Sequence, residues 1–161
     1  MHICYLDFDG VLHDESVWLR ADHTIFISTP GRRLFEWEDI LIDLLEPYPD
    51  VKIVLSTAWV RARSFSYAKR RLNKSLQQRV IGATFHSRLM IAKEFAALPR
   101  GMQIWGDVLR RKPTDWFAID DDGFGWPAWS RDKLVSTRGQ MGLSDGAVQK
   151  AIRERLTQWR R

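Results

Sequence analysis

Ile3-Cys4-Tyr5-Leu6-Asp7-Phe8-Asp9-Gly10-Val11-Leu12 is the stretch on which the reading of this chain turns. An apolar, β-prone run delivers two carboxylates, one residue apart, to a glycine. In an extended strand residues i and i+2 share a face, so Asp7 and Asp9 project the same way, roughly 6–7 Å apart. Two anions held that close repel unless a cation or a proton lies between them. Gly10 lets the backbone turn sharply and brings the preceding carbonyl groups within reach of a ligand. The plainer reading is a strand ending in a polar turn, where Asp and Gly are common. The residues further along the chain decide between the two.

Outward from this strand, residues 13–33 are mixed and polar, with a β-prone patch at Thr24-Ile25-Phe26-Ile27-Ser28-Thr29 before Pro30-Gly31. That pattern predicts a short hairpin or flap. Leu34, Trp37, Ile40, Leu41, Leu44 and Leu45 recur at helical spacing. A buried strand is expected over residues 51–55, ending in Ser56-Thr57, then a basic helical stretch over 61–78 and a short strand over 80–85. Helical character returns over 91–98 and 102–109, interrupted at Pro99. Trp116-Phe117-Ala118-Ile119 is an apolar run that stops at Asp120-Asp121-Asp122-Gly123. A last strand is expected at 134–136, and Ser144 is placed to N-cap a closing helix over 145–159.

Strands alternating with helices predict an α/β fold with a mostly parallel central sheet and helices on both faces. Ligands in such sheets bind beyond the carboxyl ends of the strands. Asp7/Asp9, Ser56 and Asp120/Asp121 each fall at such an end, so three strands aim polar groups at one crevice.

With 161 residues the chain reads as one domain over 1–161, the flap at about 13–33 included. Hydrophobic content of 45 % and eight Trp exclude a disordered chain. The one cysteine, Cys4, rules out an internal disulfide and reads as core packing. No run of about 18 apolar residues is present, so no membrane partner is expected. The first strand begins so near Met1 that no leader is expected, and a cytoplasmic setting follows. Net charge is +5 and unevenly placed: residues 51–93 carry ten Lys or Arg and no Asp or Glu. Such a field attracts a polyanion, with nucleic acid the candidate partner for the basic segment 52–93. A solvated helix face is the plainer account.

The combination Asp7-Phe8-Asp9-Gly10-Val11-Leu12, Val54-Leu55-Ser56, a downstream basic residue and Ala118-Ile119-Asp120-Asp121 resembles the four motifs of the haloacid dehalogenase (HAD) superfamily of phosphatases. The wording LDFDGVLH, VLSTAW and AIDDD looks most like the subfamily named after Swiss-army-knife RNA-repair proteins. The phosphatase half of polynucleotide kinase/phosphatase is similar in plan. The resemblance implies a three-layer, Rossmann-like fold and a phosphomonoester hydrolase that uses Mg²⁺.

Within it, Asp7 is the expected nucleophile, forming an aspartyl-phosphate. Asp9 is the expected general acid and base. Ser56 would hydrogen-bond a phosphoryl oxygen. Asp7, the Asp9 backbone carbonyl and one of Asp120 or Asp121 would hold the metal. For the basic residue the subfamily pattern points to Arg100, with Lys112, Lys93 and Arg88 as the other candidates. One departure stands out: the subfamily places Arg directly after the Trp of its second motif, whereas here Trp59 is followed by Val60 and then Arg61. His13, His86, Asp122 and the tryptophans 105, 116, 126 and 129 read as structural.

Neither inter-motif gap has the look of a cap domain. A minimal or absent cap leaves an open site, which suits a bulky phosphorylated substrate such as a nucleic-acid end. A small phosphorylated metabolite, a phosphoprotein and a non-catalytic binding module are the competing expectations; oligomeric state is left open.

Overall fold

The computed structural model describes residues 1–160. In chain order, β1 (His2–Leu6) is followed by a hairpin of β2 (Val17–Leu19) and β3 (Ile25–Ile27), α1 (Glu38–Leu45), β4 (Lys52–Leu55), α2 (Trp59–Ala62), α3 (Phe65–Arg71), α4 (Lys74–Gln77) and β5 (Val80–Ala83). Then come α5 (Ala92–Ala97), α6 (Arg100–Arg111), β6 (Asp115–Asp120), β7 (Leu134–Ser136) and α7 (Gly146–Gln158). Five strands form one sheet in the order β5-β4-β1-β6-β7, every neighbouring pair parallel. The earliest strand lies at the centre, so strand order reverses across β1.

Alternation along the central strands divides the core into two layers. Cys4 and Leu6 of β1, Ile53 and Leu55 of β4, and Phe117 and Ile119 of β6 pack on one face, with Leu41 and Leu45 of α1 and Ile152 and Leu156 of α7. Ile3 and Tyr5, Val54, and Trp116 and Ala118 face the other way, onto Ile104 and Val108 of α6. This period of two, carried by residues buried on both faces, is the signature of an internal parallel strand. The result is the three-layer α/β arrangement expected from the sequence. Cys4 is fully buried, and burial pushes its thiol up, so it serves packing.

The intervening segments stay small. Between β1 and α1 the chain makes the expected flap, β2 pairing antiparallel with β3. Between β4 and β6 it makes the fifth strand and short helices, so no cap domain is inserted.

Four local expectations are corrected. The helical stretch at 61–78 is three short helices, because Ser64 accepts a hydrogen bond from the Tyr67 amide and Asn73 from the Ser75 amide, each restarting the helix. The helix expected from Leu34 begins at Glu38, since Phe35 sits at φ 59° and cannot continue a helix. Helix α6 starts earlier than 102, with Pro99 as N-cap and Arg100 as its first residue. The cap of α7 is Asp145, whose Oδ1 accepts from the Ala147 amide at 2.9 Å; Ser144 closes the preceding 3-10 turn. Among the described residues no helix is long and apolar enough to cross a membrane.

Candidate active site

The register of the sheet builds the site. Leu6 lies opposite Leu55 on one side and Ile119 on the other, so the next residues, Asp7, Ser56 and Asp120, lie level. The ladder continues through them: the Ser56 amide donates to the Leu6 carbonyl at 2.8 Å, and the Asp7 amide to the Ile119 carbonyl at 3.2 Å. Each also stands two residues beyond a position facing α6: Tyr5, Val54 and Ala118. Alternation therefore sends all three toward the layer of α6, whose first residue is Arg100.

The Arg100 guanidinium closes the group. Its Nε stands 3.3 Å from Asp120 Oδ2, its Nη2 lies 3.8 Å from Asp7 Oδ2, and its Nη1 donates to the Ser56 carbonyl. Burial works against the Arg100 charge, but Asp7 and Asp120 outweigh it and hold the guanidinium above the usual arginine range. The other basic candidates lie elsewhere. Lys112 is the left-handed C-cap at the opposite end of α6, about 18 Å away along the helix axis, and Lys93 and Arg88 are exposed.

The carboxylates of Asp7, Asp120 and Asp121 each offer an oxygen within 4.8 Å of the others. Asp7 is 3 % exposed and Asp120 fully buried. Burial pushes the Asp7 carboxyl up, with Arg100 pulling it down and the Asp9 charge pushing it further up. Burial and the Asp7 charge drive Asp120 well above the carboxylate range, and the same two causes push Asp121 up to about 7. One arginine faces three carboxylates, so the cluster must take up either protons or a cation. Gly10 lets Asp121 in: it sits at φ +75°, and a Cβ there would collide with the Asp121 carboxylate.

Ser56 Oγ has no hydrogen-bond partner among the described residues, and Asp120 Oδ2 makes no hydrogen bond beside its 3.3 Å ion pair with Arg100. Leaving the buried Ser56 hydroxyl unsatisfied costs about 1–3 kcal/mol, which a ligand bound there would offset. A hard cation with oxygen ligands fits the carboxylate cluster, and a phosphoryl oxygen fits the Ser56 hydroxyl. Asp122 stays out of the cluster: it is exposed and caps its own turn by accepting from the Phe124 amide.

The Asp9 carboxylate does not join the cluster, so any contact it makes to a cation comes through its backbone carbonyl. Its Oδ1 accepts from Trp59 Nε1 at 2.8 Å and from His13 Nε2 at 2.8 Å. The Phe35 amide, which can only donate, reaches His13 Nδ1 at 3.1 Å. The imidazole proton is thereby assigned to Nε2, facing Asp9. Trp59 and His13 thus aim the Asp9 side chain, a role their sequence positions did not disclose. Both belong to the stretches LDFDGVLH and VLSTAW, which was the available signal.

Of the tryptophans read as structural, Trp116 and Trp126 are buried under α6, whereas Trp105 and Trp129 pack edge-on against each other at the surface, Trp129 58 % exposed. The basic segment 52–93 is not one surface. The Arg79 guanidinium is spent on the carbonyls of Leu45 at 2.9 Å and Tyr48 at 2.7 Å. Arg71 lies over the Phe35 ring, while Arg61, Arg63 and Arg88 line a cavity along β5.

A family model described as "HAD domain in Swiss Army Knife RNA repair proteins" matches residues 3–148. No curated protein and no solved structure matches the chain.

Proposed function

The chain belongs to the family of HAD domains found in Swiss Army Knife RNA repair proteins, and from that membership we propose a Mg²⁺-dependent phosphomonoesterase acting on phosphate ends of nucleic acid. The observation that carries this reading is the convergence of Asp7, Asp120 and Asp121 within 4.8 Å, beside a buried hydroxyl without a partner.

Asp7, level with Ser56 and flanked by Arg100, is the nucleophile. One of its oxygens attacks phosphorus, and the bond from phosphorus to the leaving oxygen breaks. Ser56 Oγ donates to a phosphoryl oxygen, and the Arg100 guanidinium offsets charge on the phosphoryl group. Asp9 delivers a proton to the leaving oxygen. Because its Oδ1 is held by Trp59 and His13, that proton is carried on Oδ2. Water then attacks the aspartyl-phosphate at phosphorus, Asp9 takes the water's proton, and inorganic phosphate leaves as Asp7 is regenerated. Acid–base help of this kind is worth about 10²–10⁴-fold. Asp7, the Asp9 carbonyl and Asp120 or Asp121 would hold a divalent cation, which would supply the positive charge that lets an anionic nucleophile meet an anionic phosphate.

The nucleic-acid end is supported by the small flap, the absence of an inserted cap and the arginines that line the cavity along β5. The test compares wild type with Asp7→Asn, with and without Mg²⁺, on para-nitrophenyl phosphate and on a 3′-phosphorylated oligonucleotide. Mg²⁺-dependent release of phosphate, lost in Asp7→Asn and faster on the oligonucleotide, is the expected result. Equal or better turnover of the small ester, insensitive to salt, would move the substrate to a small metabolite. No turnover of either would leave a binding module.

A further inference from the structure

A cavity of about 740 Å³ runs along β5, the edge strand of the sheet, and its lining differs in kind from its neighbours. Arg61, Arg63, Arg88, Arg111 and His86 line it and no carboxylate does; four smaller cavities each carry at least one Asp or Glu. Between the basic groups the wall is apolar: Phe65, Ile81 and Leu89, of which Leu89 is 82 % exposed.

The cavity adjoins the phosphoryl site. Leu55 pairs with Ala83 and the Thr84 amide donates to the Leu55 carbonyl at 2.9 Å. Thr84 is therefore level with Ser56, and Phe85 and His86 follow directly after it. Helix α2 begins three residues after Ser56 and carries Arg61, whose guanidinium lies over the Phe95 ring, 5.3 Å from its centroid.

The far end is built with more care than a surface arginine needs. Asp107, fully buried, accepts from Tyr5 Oη at 2.8 Å and from Arg111 Nε at 2.7 Å, which fixes the plane of the guanidinium. Its outer half passes over Gly82, where a Cβ would collide with Nη2. The other Asp107 oxygen, Oδ1, makes no hydrogen bond among the described residues and faces Arg110 Nη2 at 3.6 Å and His86 Nε2 at 4.0 Å, so one buried carboxylate gathers three basic groups at this end of the groove. The η nitrogens of Arg111 make no hydrogen bond among the described residues.

We propose that this groove holds the single strand of nucleic acid next to the phosphate being removed, with Arg111, Arg88 and Arg61 on successive backbone phosphates and unpaired bases against Phe65, Ile81 and Leu89. The inference rests on the phosphomonoesterase reading and adds where the strand lies and which way it runs. Positive charge interleaved with apolar and aromatic surface is what unpaired bases and their phosphates require; a duplex would keep its bases from that wall. Helix α6 spans the interval from Arg100 to Arg111, about 16 Å, room for on the order of two to five phosphates.

The experiment uses the full chain carrying Asp7→Asn, so that the probe is not consumed. Binding of 3′-phosphorylated oligothymidylates of one to eight nucleotides is followed by fluorescence anisotropy at several salt concentrations. Affinity should rise with length and level off near five nucleotides. Adding Arg88→Gln should weaken the longer probes about three- to tenfold, leave the mononucleotide unchanged, and flatten the dependence on log salt by about 0.7. Arg111→Gln should do the same more strongly; because it strands Asp107, the exposed Arg88 decides the case if that variant fails to fold. Length-independent affinity, length dependence untouched by Arg88→Gln, or equal binding of an acidic peptide would each overturn the proposal. Wild-type hydrolysis of para-nitrophenyl phosphate with Mg²⁺ separates the two readings. Hydrolysis without length-dependent binding removes the groove and keeps the phosphatase; binding without hydrolysis does the reverse.

Discussion

Gly10 shows how much one residue carries. Its φ of +75° is a conformation that side chains with a Cβ rarely adopt, and the Asp121 carboxylate fills the space where a Cβ would stand. Gly10→Ala should cost about 1–3 kcal/mol and abolish turnover by displacing Asp121; thermal melting together with a phosphatase assay checks both. The pair Asp7/Asp9 and this glycine were legible because their chemistry is local. The clamp on Asp9 was not, since Trp59 lies fifty residues away and a tryptophan reads first as core. Trp59 indeed packs edge-on against Phe8 and Phe35 and stacks on Tyr67, so the indole N–H is a second use of a packing residue. Trp59→Phe keeps most of the packing and removes that donor. It should lower kcat about tenfold or more with KM unchanged, since only the aim of the acid is lost; an equal fall in KM and kcat, or none, would reassign Trp59 to packing alone.

At the scale of elements, β1, β4, β6, β7 and α6 were readable because their patterns are strict and their ends chemically marked. The breaks within 61–78 were missed because a basic run with Phe65, Ala68 and Leu72 satisfies a helical period, while Ser64 and Asn73 act through backbone geometry that periodicity does not sense. The seam between β6 and the end of α7 was equally hidden. There Asp115 accepts from Lys133 Nζ at 2.6 Å and from Trp159 Nε1 at 2.8 Å, and Trp159 stacks on His2. Burial raises the Asp115 carboxyl, but these hydrogen bonds outweigh it and hold the group below its ordinary value. The folded chain thus binds fewer protons here than the unfolded one. The stabilisation is present above the unfolded carboxylate range near 3.9 and is lost as pH falls through the lower, folded value. Asp115→Asn should melt about 2–4 °C below wild type at neutral pH, and the gap should close in strongly acidic buffer. A gap that persists there would show that the loss comes from packing rather than charge.

For the molecule as a whole, the acidic cluster sets stability against chemistry, with the opposite sign. Asp7, Asp120 and Asp121 all bind protons more tightly folded than unfolded, so without a cation the fold loses stability as pH rises from the ordinary carboxylate range toward the folded values, which for Asp121 lie at about 7. Arg100 offsets part of this, and the sheet register holds the three groups together regardless. A cation that binds only the assembled cluster returns that stability, and the more so the more completely the carboxylates are ionised. Mg²⁺ at about 100 times its dissociation constant contributes about 2.7 kcal/mol, or roughly 5–10 °C in Tm for a chain of this size. Melting curves with Mg²⁺ and with EDTA across pH 5 to 8 should therefore diverge as pH rises. The increment should be small at pH 5, largest at pH 8, and much reduced in one of Asp120→Asn and Asp121→Asn, whichever removes the ligand. An increment that is flat with pH, or that survives both Asp120→Asn and Asp121→Asn in full, would place the cation away from the carboxyl ends of β1 and β6 and would detach metal chemistry from Asp7.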